Sequence, residues 1–410
     1  MKTQIVTSRS VYENIAQKYG TPTYVYNIQQ LHANLDNFQT NLSKEALVAV
    51  ALKANSNLSL LRILAKRGFG ADVVSGGELF CALQAGIDVS SIIFSGVGKT
   101  QEEIEFAVKS NIYSINIESS HELEMVVRCA KKLGSMVRVS FRVNPNILVN
   151  THPNIATGGK DHKFGMSENE ILAHCQRLAG ITEIRVAGLH AHIGSQIFEQ
   201  DQFVTLLDYL IQTEKTMTQK LNYALEFLNF GGGYGIDNMG HHPNWLGNWL
   251  HLAETKCREN GVQLVIEPGR SIFANMGVLL SRVLGVKRSG QTNFLIIDAG
   301  MNDFMRTALY DAEHPVSVVA ESLSKHQTYQ IVGPVCETTD VFAKEKLLPD
   351  NIKEGDLLLL ENVGAYGFSM ASQYNRRCRP AEIAVEHNKI NLIRRRETFS
   401  DLVALEQCPK

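Results

Sequence analysis

The chain has 410 residues, with 40 Lys and Arg against 42 Asp and Glu for a net charge of −2, long enough for more than one domain, one of which can be a large barrel. Balanced charge argues against a nucleic-acid groove or a membrane-surface patch, and with no signal-peptide pattern and no apolar stretch of about 18 residues a cytoplasmic protein is expected. The seven cysteines include no C-x-x-C pair, which fits reduced thiols and argues against a zinc ribbon or a disulfide scaffold.

From Ala46 to Ile272 short apolar runs recur: "ALVAVALKAN", "GADVVSGGE", "SIIFSGVGK", "IYSINIES", "MVRVSFRVNP", "RVAGLHAHIGS", "LEFLNFGGGYG" and "QLVIEPGR". Each is rich in β-branched or aromatic residues and ends in small or polar ones, as strands do. Between them lie stretches with helical spacing, such as "LSLLRILAKRG" and "ELEMVVRCAKKLG". Strand and helix in alternation imply parallel strands with right-handed crossovers, and about eight such units over roughly 230 residues predict a (β/α)₈ TIM-like barrel over residues 27–275. A doubly wound open sheet is the rival. After residue 275 the pattern changes. "VLLSRVLGVKR", "NFLIIDAGM", "TYQIVGPVC" and "DLLLLENVGAY" read as strands without long helices between them, so residues 276–410 are expected to form an antiparallel β domain. Residues 1–26, with "PTYVYN", are expected to add an element to it.

A barrel places its working groups just after each strand. Those positions hold Lys53, Asp72 with Ser75, Ser95 with Gly96, Glu118, Arg142 with Asn144, His192 with Ser195, Gly231 to Gly233, and Glu267 with Arg270. A lysine at the end of an apolar strand is partly desolvated, which favours the neutral amine that attacks a carbonyl; the plain alternative is a snorkelling surface lysine. The "GGGYG" and "EPGR" loops follow the seventh and eighth strands, where barrels habitually bind phosphate, and glycines let backbone N–H groups approach an anion. A Schiff-base lysine, a phosphate cradle and a carboxylate, Glu267, to keep a pyridine nitrogen protonated together point to pyridoxal 5'-phosphate. His192 can lie against a ring, and Ser195 can donate to phosphate. His190 and His192 are two apart on one strand, but no third ligand at metal spacing accompanies them, so no metal is expected.

In the last third, "VGPVCETTDVF" sets Cys336 beside Glu337 on a stiff Gly333–Pro334 support. Read alone, Cys336 is a buried structural thiol. The stretches "VALKANSN", "GADVVSGGEL", "THPNIATGGKDHKFGM", "GLHAHIGSQI", "NFGGGYGI", "IEPGRSI", "DAGMNDFMRTALYDAEH", "VGPVCETTD" and "VGAYGFSMASQYNRRCRPAE" together resemble the diaminopimelate decarboxylases, over nearly the whole chain and in order. The resemblance implies an alanine-racemase-like pyridoxal phosphate fold and decarboxylation of meso-2,6-diaminopimelate to L-lysine. It implies that Lys53 forms the Schiff base, His192 stacks on the ring, and Ser195, Gly233 and the backbone of Pro268, Gly269 and Arg270 hold the phosphate. Glu267 then faces the pyridine nitrogen, and Tyr366 touches cofactor and substrate. Cys336 becomes the proton donor, Glu337 the partner of the substrate's distal ammonium, and Arg270, Arg306 and Tyr310 the clamp on its distal carboxylate. The family's site is completed across a homodimer, with Cys336 and Glu337 supplied by the partner.

Several positions depart from the family pattern: Thr338 and Thr339 follow the Cys–Glu pair, Thr307 stands where proline is usual, Ala371 and Gln373 replace serine and asparagine, and "ATGG" occupies residues 156–159. None removes a named catalytic group. The alternatives are a related decarboxylase acting on arginine, ornithine, carboxynorspermidine or a carrier-bound glutamyl group, and a non-catalytic regulatory homologue that binds the cofactor. Residues 151–165, with glycines and few core residues, are read as either a mobile lid or a static excursion.

Overall fold

Apolar runs of three to seven residues separated by amphipathic segments favour parallel strands with helices packed outside them. The computed structural model describes residues 8–147, 163–221, 224–320 and 323–407; residues 151–162 of the proposed lid lie outside them. Two units are formed, one of Leu35–Gly235 and His242–Ser271, the other of Met1–Asn34, Ile236–His241 and Ile272–Lys410. The helices are α1 (Arg9–Tyr19), α2 (Ile28–Asn41), α3 (Leu58–Lys66), α4 (Gly76–Ala85), α5 (Gln101–Lys109), α6 (Ser120–Leu133), α7 (Glu168–Leu178), α8 (Gln200–Leu221), α9 (Leu246–Glu259), α10 (Arg270–Phe273), α11 (Arg306–Tyr310) and α12 (Phe399–Val403).

The strand β1 (Thr23–Asn27) joins the second unit, and the next eight close into a barrel: β2 (Leu47–Ala51), β3 (Gly70–Val73), β4 (Ile92–Phe94), β5 (Ser114–Ile117), β6 (Val137–Arg142), β7 (Ile184–His190), β8 (Phe227–Asn229) and β9 (Gln263–Ile266). Closure is made by the parallel pairing of β2 with β9, Leu47 opposite Val265. One interior layer stacks Ala49, Ile93, Ala187, Phe227 and Val265, so the barrel is filled rather than open. The helices begin on side-chain caps. Ser75 caps α4 by accepting from Glu78 N, Thr100 and Glu103 make a reciprocal capping box at α5, and Ser119 caps α6. Each cap satisfies a backbone donor that the first turn leaves over. Ser75, one of the rim groups, therefore has a structural task.

The second unit is a nine-stranded sheet formed by β1 with β10 (Gly277–Ser289), β11 (Thr292–Ile297), β12 (Val316–Val318), β13 (His326–Val332), β14 (Val341–Pro349), β15 (Leu357–Glu361), β16 (Ala381–Glu386) and β17 (Lys389–Arg394). Most pairs are antiparallel, but β1 runs parallel to β16 and β11 parallel to β13, so the sheet is mixed where an antiparallel one was expected. Both parallel partners are joined by long connections rather than hairpins, which leaves their relative direction unconstrained. Alternate residues of these strands (Val25, Val278, Leu280, Leu359, Ile383, Val385) meet Val11, Tyr12, Ile15 and Ala16 of α1 in one core. The N-terminal segment is thus a structural part of this unit. Among the described residues, no helix is long and apolar enough to cross a membrane.

Candidate active site

In the barrel unit, strand β2 runs into a short 3-10 turn, Leu52–Ala54, that presents Lys53 at the C-terminal mouth. Lys53 Nζ lies 3.1 Å from Asp72 Oδ2, and its side chain is 38% exposed while that of Asp72 is fully buried. Burial and the nearby Glu267 charge raise the Asp72 carboxyl, against the pull of Lys53. Glu267 goes the other way. Burial alone would raise it, but His190, Lys53 and Asn229 together hold it well below the usual carboxylate range. His190 Nε2 is 3.2 Å from Glu267 Oε2, and Asn229 Nδ2 donates to Glu267 Oε1 at 2.6 Å. Two buried acids at one mouth are thus driven apart, one toward the neutral form and one firmly ionised.

His192 stands two residues beyond His190, and the two do different work. His190 is buried against Glu267. The Nδ1 of His192 accepts from Gly232 N at 3.2 Å, and burial, with the charges of Lys53 and Arg142, depresses its pKa well below the ordinary imidazole value. A neutral ring with its Nδ1 lone pair engaged has a fixed tautomer and a fixed plane. The glycine run packs closely. Gly231 and Gly233 adopt φ of 61° and 112°, and a Cβ on Gly232 would come within 2.2 Å of Glu267 O, so no other residue fits there. Asn229 Oδ1 accepts from Gly231 N at 2.9 Å and Glu267 N donates to Gly231 O at 2.7 Å. Arg270, which opens α10, donates to Ser195 Oγ at 3.2 Å, and Pro268 O accepts from Ala51 N at 3.0 Å. The turn containing Pro268 and Gly269 is therefore fastened to the strand that leads to Lys53. Of the other rim groups, Ser95 accepts from Asn116, and Arg142 pairs with Glu118 at 2.9 Å.

In the second unit, α11 sets the Arg306 guanidinium 5.4 Å from the Tyr310 ring and 5.9 Å from the Tyr366 ring. Arg306 is buried and its Nε has no hydrogen-bond partner among the described residues; burial lowers its pKa. Tyr366 holds a left-handed φ of 55°, unusual for an aromatic residue. Thr307 lines a cleft of about 840 Å³ with His314, Lys344 and Lys346.

Cys336 is exposed, as is Glu337, so the buried structural thiol expected from a lone cysteine is not what the fold makes. The Asp340 carboxylate accepts from Val335 N and Met301 N, each at 2.7 Å. A Cβ on Gly333 would meet that carboxylate at 2.4 Å. Asp340, with Gly333 and Pro334, is thus what makes the support stiff. Thr339 Oγ1 faces the Met301 sulfur at 3.8 Å, and Thr338 is exposed. Sequence reading missed Asn229, His190 as a partner of Glu267, and the bracing role of Asp340. A polar residue closing an apolar strand, as in "FLNFGGG", was the available signal for Asn229.

A family model described as "Pyridoxal-dependent decarboxylase, pyridoxal binding domain" matches residues 28–274. A diaminopimelate decarboxylase of Pseudomonas aeruginosa is 41% identical over 96% of this chain and 94% of its own. The crystal structure of diaminopimelate decarboxylase from Helicobacter pylori complexed with L-lysine is 40% identical, with a TM-score of 0.92, covering 96% of this chain and 99% of that one. A diaminopimelate decarboxylase from M. jannaschii, also in complex with L-lysine, is 36% identical with a TM-score of 0.91, covering 98% and 94%. The chain belongs to the diaminopimelate decarboxylase family. Its barrel mouth fits the family's cofactor on its own chemistry: a lysine amine, a carboxylate held ionised for a protonated ring nitrogen, a neutral imidazole, and a glycine run, Gly231 to Gly233, with no side chains over its backbone.

Proposed function

We propose that this decarboxylase converts meso-2,6-diaminopimelate to L-lysine and CO₂ with pyridoxal 5'-phosphate. The observation that carries the substrate assignment is Arg306, a buried guanidinium with its Nε unpartnered among the described residues and two tyrosine rings beside it. Such a group calls for a carboxylate. Ornithine, lysine and arginine have none at the distal end, whereas diaminopimelate does.

When bound, pyridoxal phosphate supplies an electron sink for the charge left at the α carbon as CO₂ departs. Lys53 supplies the amine that holds it covalently, and Asp72 at 3.1 Å orients that amine. Glu267, kept ionised, would pair with the protonated ring nitrogen, and neutral His192 would border the ring. Ser195, Gly233 and the Pro268–Gly269–Arg270 turn would hold the phosphate. At the substrate end, Arg306, Tyr310 and Arg270 clamp the distal carboxylate, Glu337 receives the distal ammonium, and Tyr366 borders both ligands. Cys336 holds the proton delivered to the α carbon, a task for a positioned acid.

The working form is a cytoplasmic homodimer in which Cys336 and Glu337 complete the partner's barrel site. Their exposure supports this, since a proton donor and an ammonium partner work best shielded from water. So do the apolar side chains of Phe399 and Leu405, which are 82% and 97% exposed. Incubation with meso-diaminopimelate should release one CO₂ per L-lysine formed; no lysine under cofactor saturation would refute the reading. Mixing Lys53→Ala with Cys336→Ala protein should restore about a quarter of wild-type activity if exchange is random and each heterodimer keeps one intact site. No recovery despite proven subunit exchange would refute the shared site.

A further inference from the structure

Two consecutive residues of one loop hold two consecutive residues of another. Asn375 Oδ1 accepts from Cys336 N at 3.1 Å, and the Tyr374 hydroxyl donates to Glu337 Oε1. The loop that supplies them is bent unusually: Asn375 and Arg376 both hold left-handed φ, 55° and 53°. Neither is glycine, and successive residues with a Cβ avoid this region unless their surroundings fix it. The surroundings do fix it. Arg376 donates to Leu402 O at 3.0 Å and pairs with Glu406 at 2.8 Å. Gln373 donates to Glu397 at 3.0 Å, and Ser372 N donates to Asn302 O at 2.8 Å. A strained turn anchored on both flanks thus ends on the two groups assigned to proton delivery and ammonium binding.

We propose that Asn375 and Tyr374 are the positioning residues of this decarboxylase, Asn375 for the proton donor Cys336 and Tyr374 for the ammonium partner Glu337. The inference rests on the function proposed above. Cys336, Glu337 and Tyr374 are all exposed, so packing within the chain does not fix the two working side chains. A hydrogen bond to the Cys336 amide fixes the backbone from which the thiol projects, and small misplacements of a reacting group cost rate steeply. A phenol that donates to a carboxylate oxygen sets the rotamer of that side chain, leaving the second oxygen for an ammonium. The hydrogen bond to Glu337 also raises the pKa of Tyr374, so the hydroxyl keeps its proton. Each residue therefore acts on a different kinetic parameter.

Asn375→Gly separates a positioning role from a structural one. Glycine accepts the left-handed turn without strain but removes the Oδ1 acceptor. The expected result is a melting temperature equal to or above wild type, kcat down at least tenfold and KM within twofold; Asn375→Asp, which keeps the acceptor, recovers most of kcat. Tyr374→Phe should raise KM for meso-diaminopimelate about tenfold with kcat within threefold. Wild-type kcat in Asn375→Gly, or wild-type KM in Tyr374→Phe, would overturn the inference. If the wild-type protein releases no CO₂ from diaminopimelate, the functional reading fails instead. The brace is then still read by alkylation of Cys336 with iodoacetamide at pH 8: a rate changed at least threefold by Asn375→Gly and not by Asn375→Asp supports it, and equal rates overturn it.

Discussion

Asn229 is fully buried and spends both ends of its amide, Nδ2 on Glu267 at 2.6 Å and Oδ1 on Gly231 N at 2.9 Å. Asn229→Leu keeps the volume and removes both bonds. A hydrogen bond to a charged group contributes roughly 1.5–3 kcal/mol, so Glu267 should lose a factor of about ten to a hundred in its preference for the ionised form. Glu267 starts at a pKa of about 2 and stays ionised near pH 7 even after that loss, so the missing bond acts by freeing the carboxylate's position, and affinity for pyridoxal phosphate should fall by at most the same factor. The assay is absorbance titration of cofactor-free protein with pyridoxal phosphate, repeated in a Glu267→Gln background. There the loss from Asn229→Leu should shrink to a few-fold, the remainder coming from the unsatisfied Gly231 N–H. An undiminished loss would show that Asn229 does not act through Glu267.

Arg306→Met should lower kcat/KM for meso-diaminopimelate by a factor corresponding to roughly 2–5 kcal/mol, while activity on lysine should not fall; parallel losses on both would refute the clamp. Burial pushes the Asp303 carboxyl up to about 7, with Asp298 adding to the shift and the Gly300 N–H, Arg377 and Arg396 opposing it. A raised carboxyl destabilises the folded protein as pH climbs from about 4 through about 7. Asp303→Asn should therefore match wild type near pH 4 and exceed it by at most about 4 kcal/mol at pH 8, as read by urea unfolding; a gap independent of pH would contradict this. Lys53→Ala should bind pyridoxal phosphate without the absorbance of a Schiff base, and retention of that absorbance would move the attachment point elsewhere.

Much of the barrel was legible because its chemistry is periodic. Each strand ends in a polar group, and closure brings Lys53, Asp72, His192 and Glu267 to one mouth. The parallel pairing of Thr23–Asn27 with β16 was not legible, because Tyr24 and its partner Glu382 are separated by most of the chain and no turn links them. Spacing placed both His190 and His192 on one face, yet only the tertiary contact with Glu267 separates their tasks. The Asn375–Cys336 bond joins two loops whose sequences carry no mark of each other.

The most direct measurement is CO₂ release from meso-diaminopimelate, its LL isomer, lysine, ornithine and arginine under identical conditions with saturating pyridoxal phosphate. Rapid release is expected from the meso isomer with L-lysine as product, and rates at least about thirtyfold lower, matching the roughly 2–5 kcal/mol lost with a buried polar partner, from lysine, ornithine and arginine. Comparable rates on those three would contradict this.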